Sequence, residues 1–382
     1  MFVRGFLLLA LAVFLSYLYL PDVLKDGANT ANKNEKVHVF VCADNENYSG
    51  RHELHYIKDA VEDLRAVEIT DCQTAYVGYL VNKNNGERLP SFIVTTGIYV
   101  VSAAACTANL MQDSRYEVLS IVYIGTAGIS PTVGGWNPNR AGGCGVMQNV
   151  KKNYLGSVCI TDAALLQECG LWYEETVKTA CSRPNCVRHN DTTFFGRCGY
   201  RHPTSLASKL REAMRGKEFP PPSSVVKHGI ESFWNAHNAV EDRTPPTAPR
   251  LLDCAETDTS QILAGVQGDF LCREYSHTFI PHIPLEDHTC VQAMEGFGFL
   301  HVMSRYPKVP IDLVRSGFHY DMYPMSIVGE ESDGTPLWSR NTTFMTEAEY
   351  SEYTKASYRY AVLTSSIVVL NYFTGSLVVP VE

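Results

Sequence analysis

The amino-acid sequence predicts an all-β fold in two halves, and three observations predict it. From about Val67 the chain runs as short alternating apolar segments divided by turn residues, at Ala75 to Val81, Ser91 to Val101, Tyr116 to Ile124 and Gly145 to Val150. That spacing suits strands rather than helices. The stretch from Glu168 to Cys198 carries Cys169, Cys181, Cys186 and Cys198 with Arg183-Pro184, and reads as a disulfide-tied connection between two halves. The second half is interrupted by Phe219-Pro220-Pro221-Pro222 and Thr244-Pro245-Pro246, which are surface loops because proline lacks the N–H that a ladder needs.

Taken in order, the chain opens with Arg4, an apolar stretch from Gly5 to Leu20 and then Pro21-Asp22, the layout of a secretory signal over residues 1–20. A bilayer span needs about 20 apolar residues, so a retained signal anchor is the lesser alternative. Residues 21–65 are polar and acidic and form an N-terminal extension. The first β-rich unit then covers 66–167, the Cys-rich connection 168–198 and the second unit 199–365, which includes an amphipathic helix from Met345 to Tyr360. A β-like tail, 366–382, ends the chain.

With 382 residues, 45% of them hydrophobic and 19% charged, the chain has ample material for a buried core. A net charge of -9 and the lack of any long basic run argue against nucleic acid as a partner. Twelve cysteines, all between Cys42 and Cys290, allow up to six disulfides, with Cys42 or Cys72 available to tie down the extension. Sequons at Asn47, Asn190 and Asn341 mark glycosylation sites, and together these features predict a secreted, extracellular glycoprotein. Such a pattern admits a two-barrel protease, a pair of sandwiches or a lectin-like receptor domain.

Several local patterns offer rival chemistry. His277, His282 and His288 with Glu274, Glu286 and Asp287 lie between Cys272 and Cys290, a mixture able to hold zinc; disulfide formation accounts for the cysteines better, and we expect neither a metal nor a cofactor. Arg51-His52-Glu53-Leu54-His55 misses the four-residue histidine spacing of a zinc helix and reads as a solvated helix or loop. Gly142-Gly143-Cys144-Gly145 lacks the lysine of a phosphate loop. Gly125-Thr126-Ala127-Gly128 is not a nucleophile elbow.

Ser91 to Cys106, SFIVTTGIYVVSAAAC, resembles the strand pair of trypsin-like serine proteases that ends in Ala-Ala-His-Cys, here Ala103-Ala104-Ala105-Cys106. Further segments follow in that family's order. Thr161-Asp162-Ala163-Ala164-Leu165-Leu166 is similar to its Asp-Ile-Ala-Leu-Leu, and Gly196-Arg197-Cys198-Gly199-Tyr200 to its Gly-Trp-Gly turn. Val291-Gln292-Ala293-Met294-Glu295-Gly296 falls where the family has Cys-x-Gly-Asp-Ser-Gly-Gly, and Tyr353-Thr354-Lys355-Ala356-Ser357-Tyr358 is similar to Val-Tyr-Thr-Lys-Val-Ser. The chain thus resembles the chymotrypsin/trypsin-like serine protease family over roughly residues 66 to 365.

That resemblance implies two antiparallel six-stranded β-barrels with a C-terminal helix, and a Cys254–Cys272 pair bracketing a loop. It also implies that catalysis is lost. Ala105 stands where the general base belongs, and Met294 or Glu295 where the nucleophile belongs, leaving Asp162 as the remaining triad position. Such losses lower turnover by about six orders of magnitude. Arg65 is followed by Ala66-Val67-Glu68-Ile69 rather than an activating Ile-Val-Gly-Gly. The resemblance implies a catalytically inactive homologue, a secreted protein-binding or regulatory module that recognises a protein partner through a former specificity pocket at His288 or Asp287. Two alternatives stand beside it: an active secreted hydrolase drawing on His277, His282 or His301 with Glu295, and a membrane-anchored surface binding protein using the N-terminal segment.

Overall fold

A mixed twelve-stranded sheet organises the chain in place of the expected barrels. The computed structural model describes residues 35–44, 50–133, 150–167, 171–174, 186–189, 198–259, 283–284, 287–330, 332 and 336–375, with Asp269, Cys272 and Ile280. In chain order the strands are β1 (Glu35–Cys42), β2 (Val61–Ala66), β3 (Thr74–Val81), β4 (Arg88–Thr95), β5 (Tyr116–Ile129), β6 (Thr132–Val133), β7 (Lys151–Lys152), β8 (Val158–Thr161) and β9 (Ala163–Leu166). They continue as β10 (Leu171–Glu174), β11 (Cys186–His189), β12 (Gly199–Arg201), β13 (Leu251–Leu252), β14 (Cys254–Asp258), β15 (Thr289–Ala293), β16 (Ile311–Tyr320), β17 (Met325–Glu330) and β18 (Pro336–Arg340). Six helices accompany them among the described residues: α1 (His55–Ala60), α2 (Val100–Gln112), α3 (Ala207–Ala213), α4 (Ser224–Ala236), α5 (Gly296–Met303) and α6 (Glu347–Thr374).

The main sheet runs β12-β9-β14-β15-β5-β1-β4-β3-β2, with β16 pairing β5 and β8, and β8 pairing β13. Its centre is parallel: β1 pairs in parallel with β4 on one side and β5 on the other, β5 pairs in parallel with β16, and β14 with β15. Parallel strands of one sheet need long crossovers, and α2 lies in the one from β4 to β5, which flank β1. This overturns the all-β reading at its key segment. Ser102 to Cys106, taken as a strand end, lies in α2, where three consecutive alanines suit a helix better than a ladder. Gly97 and Tyr99, both at positive φ (90 and 84°), end the extended run after Thr95.

Residues alternate between two buried faces. Val37, Val39 and Val41 of β1 join Phe92, Leu110, Ile121, Phe299 and Leu313 on the face covered by α2 and α5. Phe40 and Cys42 point the other way, among Leu54, Ile124, Trp234, Val362 and Ile367. Burial on both faces explains the nearly continuous apolar run of β1. A segment expected to be a polar extension therefore supplies a central strand.

The C-terminal segment 366–374, expected as β-like, continues α6. Thr346 starts that helix with a capping box to Glu349, and Ile367, Val368, Val369 and Leu370 are almost fully buried, so packing outweighs their β preference. Disulfides join Cys72 to Cys106, Cys159 to Cys254 and Cys272 to Cys290, so the expected Cys254–Cys272 pair is not formed. The reason is register: Leu252 of β13 lies beside Cys159 of β8, which brings Cys254 to that strand instead. Cys198 is also disulfide-bonded, while Cys42 is a free, buried thiol. Among the described residues no helix is long and apolar enough to cross a membrane. The signal segment 1–20, Asn47, Asn190, His277, His282, Glu274 and Glu286 lie outside the described residues.

Candidate active site

Four carboxyl groups and one arginine meet where β1, β14 and β15 end against the middle of β5 and β16. Alternation along β14 puts Glu256 and Asp258 on one face. Glu295 follows β15, Glu53 precedes α1, and Arg315 rises from β16 with no exposed surface. Arg315 Nε donates to Glu256 Oε2 at 2.8 Å, and its Nη2 donates to Glu256 Oε1 at 2.9 Å and Glu295 Oε2 at 3.1 Å. The guanidinium lies 4.7 Å from the ring centre of Tyr123, whose hydroxyl pairs with Thr96 Oγ1 at 2.7 Å. Its Nη1 is buried and has no hydrogen-bond partner among the described residues.

Glu53 and Asp258 are held by backbone. Glu53 Oε1 accepts from Thr126 N at 2.8 Å and Thr126 Oγ1 at 3.0 Å, and Oε2 accepts from Ala43 N and Asp44 N, each at 3.1 Å. Asp258 accepts from Gly296 N at 3.2 Å and from Phe297 N, where a carboxylate suits the positive end of α5. Burial pushes Asp258 well above the usual carboxylate range, reinforced by Glu256 and opposed by Arg315. Burial likewise raises Glu53, and lifts Glu295 to about 7 against the pull of Arg315.

A second acid lies further along β16. The register between β16 and β5 slips between Gly317 and His319, leaving Phe318 as the extra residue and placing His319 opposite Gly128. Asp321 follows, fully buried, its N–H bound to Ile129 O at 2.9 Å. Neither of its carboxyl oxygens has a hydrogen-bond partner among the described residues. Nε2 of His319 is 3.9 Å from Asp321 Oδ1. Burial, with Asp269 nearby, drives Asp321 well above the ordinary range, while burial lowers His319 to about 4. Burial thus favours the protonated acid and the neutral ring in this pair.

Glycine makes room at both ends. A Cβ on Gly125 would overlap Arg315 Nη1 and lie 3.0 Å from Glu53 Oε1; one on Gly128 would overlap the Asp321 carboxyl and lie 3.1 Å from His319 Nε2. Arg315 is opposite Gly125 and His319 opposite Gly128, three residues or roughly 10 Å apart along β5, an odd spacing that turns the two positions towards opposite faces of the sheet.

The residues singled out from the protease resemblance do not converge as a triad. Ala105 is within α2. Asp162, between β8 and β9, accepts from Arg201 Nε at 3.3 Å. Asp287 forms an exposed ion pair with Lys151 at 2.6 Å, and His288 is buried just before β15. His301 on α5 meets the Tyr200 hydroxyl at 2.6 Å. Glu295 does belong to the site, as an acid fixed by Arg315 rather than a displaced nucleophile. Two segments that sequence reading gave no functional role, Arg51 to His55 as a solvated helix or loop and Gly125 to Gly128 as no nucleophile elbow, prove central: His52 and Glu53 are 5 and 3% exposed.

No family model matches the chain, and no curated protein matches it. Among solved structures it is similar to the 5′-methylthioadenosine/S-adenosylhomocysteine nucleosidase of Neisseria meningitidis, at 13% identity and a TM-score of 0.48 over 89% of this chain and 99% of that one. The corresponding nucleosidase of Streptococcus pneumoniae gives 13% and 0.47 over 89 and 100%. Futalosine hydrolase of Helicobacter pylori gives 12% and 0.42 over 86 and 97%. Likeness at this level establishes neither activity nor substrate. The parallel core removes the trypsin-like assignment together with the inactive-homologue reading built on its register.

Proposed function

We propose that the chain is an active hydrolase that cleaves the N-glycosidic bond of a nucleoside-like substrate. The observation that carries this reading is Asp321, an acid sealed from water whose protonated form burial favours and whose carboxyl oxygens have no hydrogen-bond partner among the described residues. A proton donor of this kind serves a poor leaving group that must depart neutral. At the other end, four carboxyl groups surround a single guanidinium among the described residues. A developing positive charge favours the ionised forms that burial opposes, which suits an oxocarbenium-like transition state. An acyl or phosphoryl transition state would instead add negative charge beside these acids.

In this mechanism Arg315 Nη1 donates to a pentose hydroxyl. As the bond from the anomeric carbon to nitrogen lengthens, Asp321 gives its proton to a ring nitrogen of the base. Water adds to the anomeric carbon and passes its proton to Glu295, whose affinity near 7 suits a base at neutral pH. The products are free base and free sugar. Incubation with adenosine, inosine, uridine and 5′-methylthioadenosine, followed by chromatography of released base and reducing-sugar measurement, tests the reading. Base release is expected, reduced by about 100-fold or more in Asp321→Asn and Glu295→Gln. Failure to release base from any of them overturns it.

A further inference from the structure

Asp321 poses a problem that its geometry also answers. Once it has given up its proton, a buried carboxylate near Asp269 must be recharged, yet it has no exposed surface of its own. The slipped register of β16 turns His319 rather than Phe318 towards Gly128, over the same patch of β5 backbone that the Asp321 carboxyl covers. His319 also borders a cleft of about 540 Å³ walled by Phe318 and by Glu347, Tyr350 and Lys355 of α6. Its side chain is 19% exposed, against none for Asp321. We propose that His319 is a proton-relay residue that reloads Asp321 from the cleft, a role that rests on the glycosidic reading above.

The step balances with one proton. A solvent proton entering the cleft binds His319 Nε2, 3.9 Å from Asp321 Oδ1; when the two side chains close to hydrogen-bond distance the proton crosses to the carboxylate, and the ring returns to its neutral form. Nothing is oxidised, and the charge released at the sugar is balanced by the proton that water loses to Glu295. The groups facing the ring are Asp321 on its own segment, and Glu347, Tyr350 and Lys355 on α6; Asp269 acts on Asp321. A ring whose charged form is opposed by burial gives its proton up readily, which favours a relay over a store.

The test is kinetic and spectroscopic. His319→Ala is expected to lower kcat roughly 10- to 100-fold, to move the alkaline limb of the kcat profile to lower pH, and to regain activity with added imidazole. His319→Gln keeps a hydrogen-bonding side chain but exchanges no proton, and replaces the alanine variant if that one does not fold; the same loss is expected. Wild-type kcat and pH profile in either variant, or no recovery with imidazole, would overturn the relay while leaving nucleoside cleavage intact. A readout independent of turnover is the nuclear magnetic resonance titration of His319, which should shift in Asp321→Asn. An unchanged titration refutes the relay even if no nucleoside is cleaved.

Discussion

Replacing Gly128 by alanine separates the chemistry of Asp321 from the stability of the fold. The added methyl would overlap the Asp321 carboxyl and lie 2.9 Å from its Cγ and 3.1 Å from His319 Nε2. All three nearest atoms belong to side chains, so the strand itself need not move. Relief of the overlap demands a displacement of about 1 Å by the carboxyl. A misplacement of that size costs about 100-fold in rate, while overpacking costs about 1–3 kcal/mol of stability. Steady-state base release and urea unfolding on the same preparation measure both. The expected outcome is a folded Gly128→Ala protein with kcat down about 100-fold, approaching Asp321→Asn. A folded variant within threefold of wild-type kcat would refute the placement of the acid at this end of the site.

Removing the guanidinium from this buried cluster leaves its carboxyl groups uncompensated, so Arg315→Gln should lose about 3–5 kcal/mol in urea unfolding; a loss under about 1 kcal/mol would contradict the buried pairs with Glu256 and Glu295. Asp312 is fully buried at the start of β16, and burial raises it to about 8 despite a hydrogen bond from Ser205 at 2.8 Å. The folded state thus prefers its protonated form, so its contribution is fully present near pH 4 and is lost as pH rises towards 8, at up to about 1.4 kcal/mol per pH unit. Asp312→Asn should flatten the fall in stability between pH 5 and 8, and an unchanged pH dependence would count against it. The Cys159–Cys254 bridge closes 95 residues, so paired serine substitutions should remove about 4 kcal/mol under oxidising conditions, seen as a lower melting temperature.

The strands at Ala75 to Val81 and Tyr116 to Ile124 were legible from alternation, and both appear as β3 and the first part of β5. What alternation does not state is whether neighbouring strands run parallel. That information sat in the doubly apolar run of β1 and in the alanines of α2, each of which had a competing explanation as polar extension or strand end. Five short segments, from Ala103-Ala104-Ala105-Cys106 to Tyr353–Tyr358, agree in order with a protease and point away from them. Order along a chain is shared by many unrelated folds, whereas pairing direction divides them.

The candidate site was legible only in fragments, because a parallel core collects residues that are far apart in sequence. Glu53 meets Thr126 across 73 positions, and Arg315 meets Glu256 across 59. In the linear sequence Glu53 looks like part of a polar turn, and Gly125 and Gly128 look like small residues near a strand end. Their significance is mutual. Glycine at 125 is required because a guanidinium and a carboxyl occupy its side-chain volume, and glycine at 128 because an acid and an imidazole do. A strand carrying two glycines three residues apart would ordinarily be weakened by them, so their presence in the most heavily paired strand argues that β5 gives up its own packing to let charged groups approach its backbone. Reversing either exchange with a methyl group should therefore disturb chemistry before it disturbs folding, since the atoms in the way are the termini of the side chains that carry out the reaction.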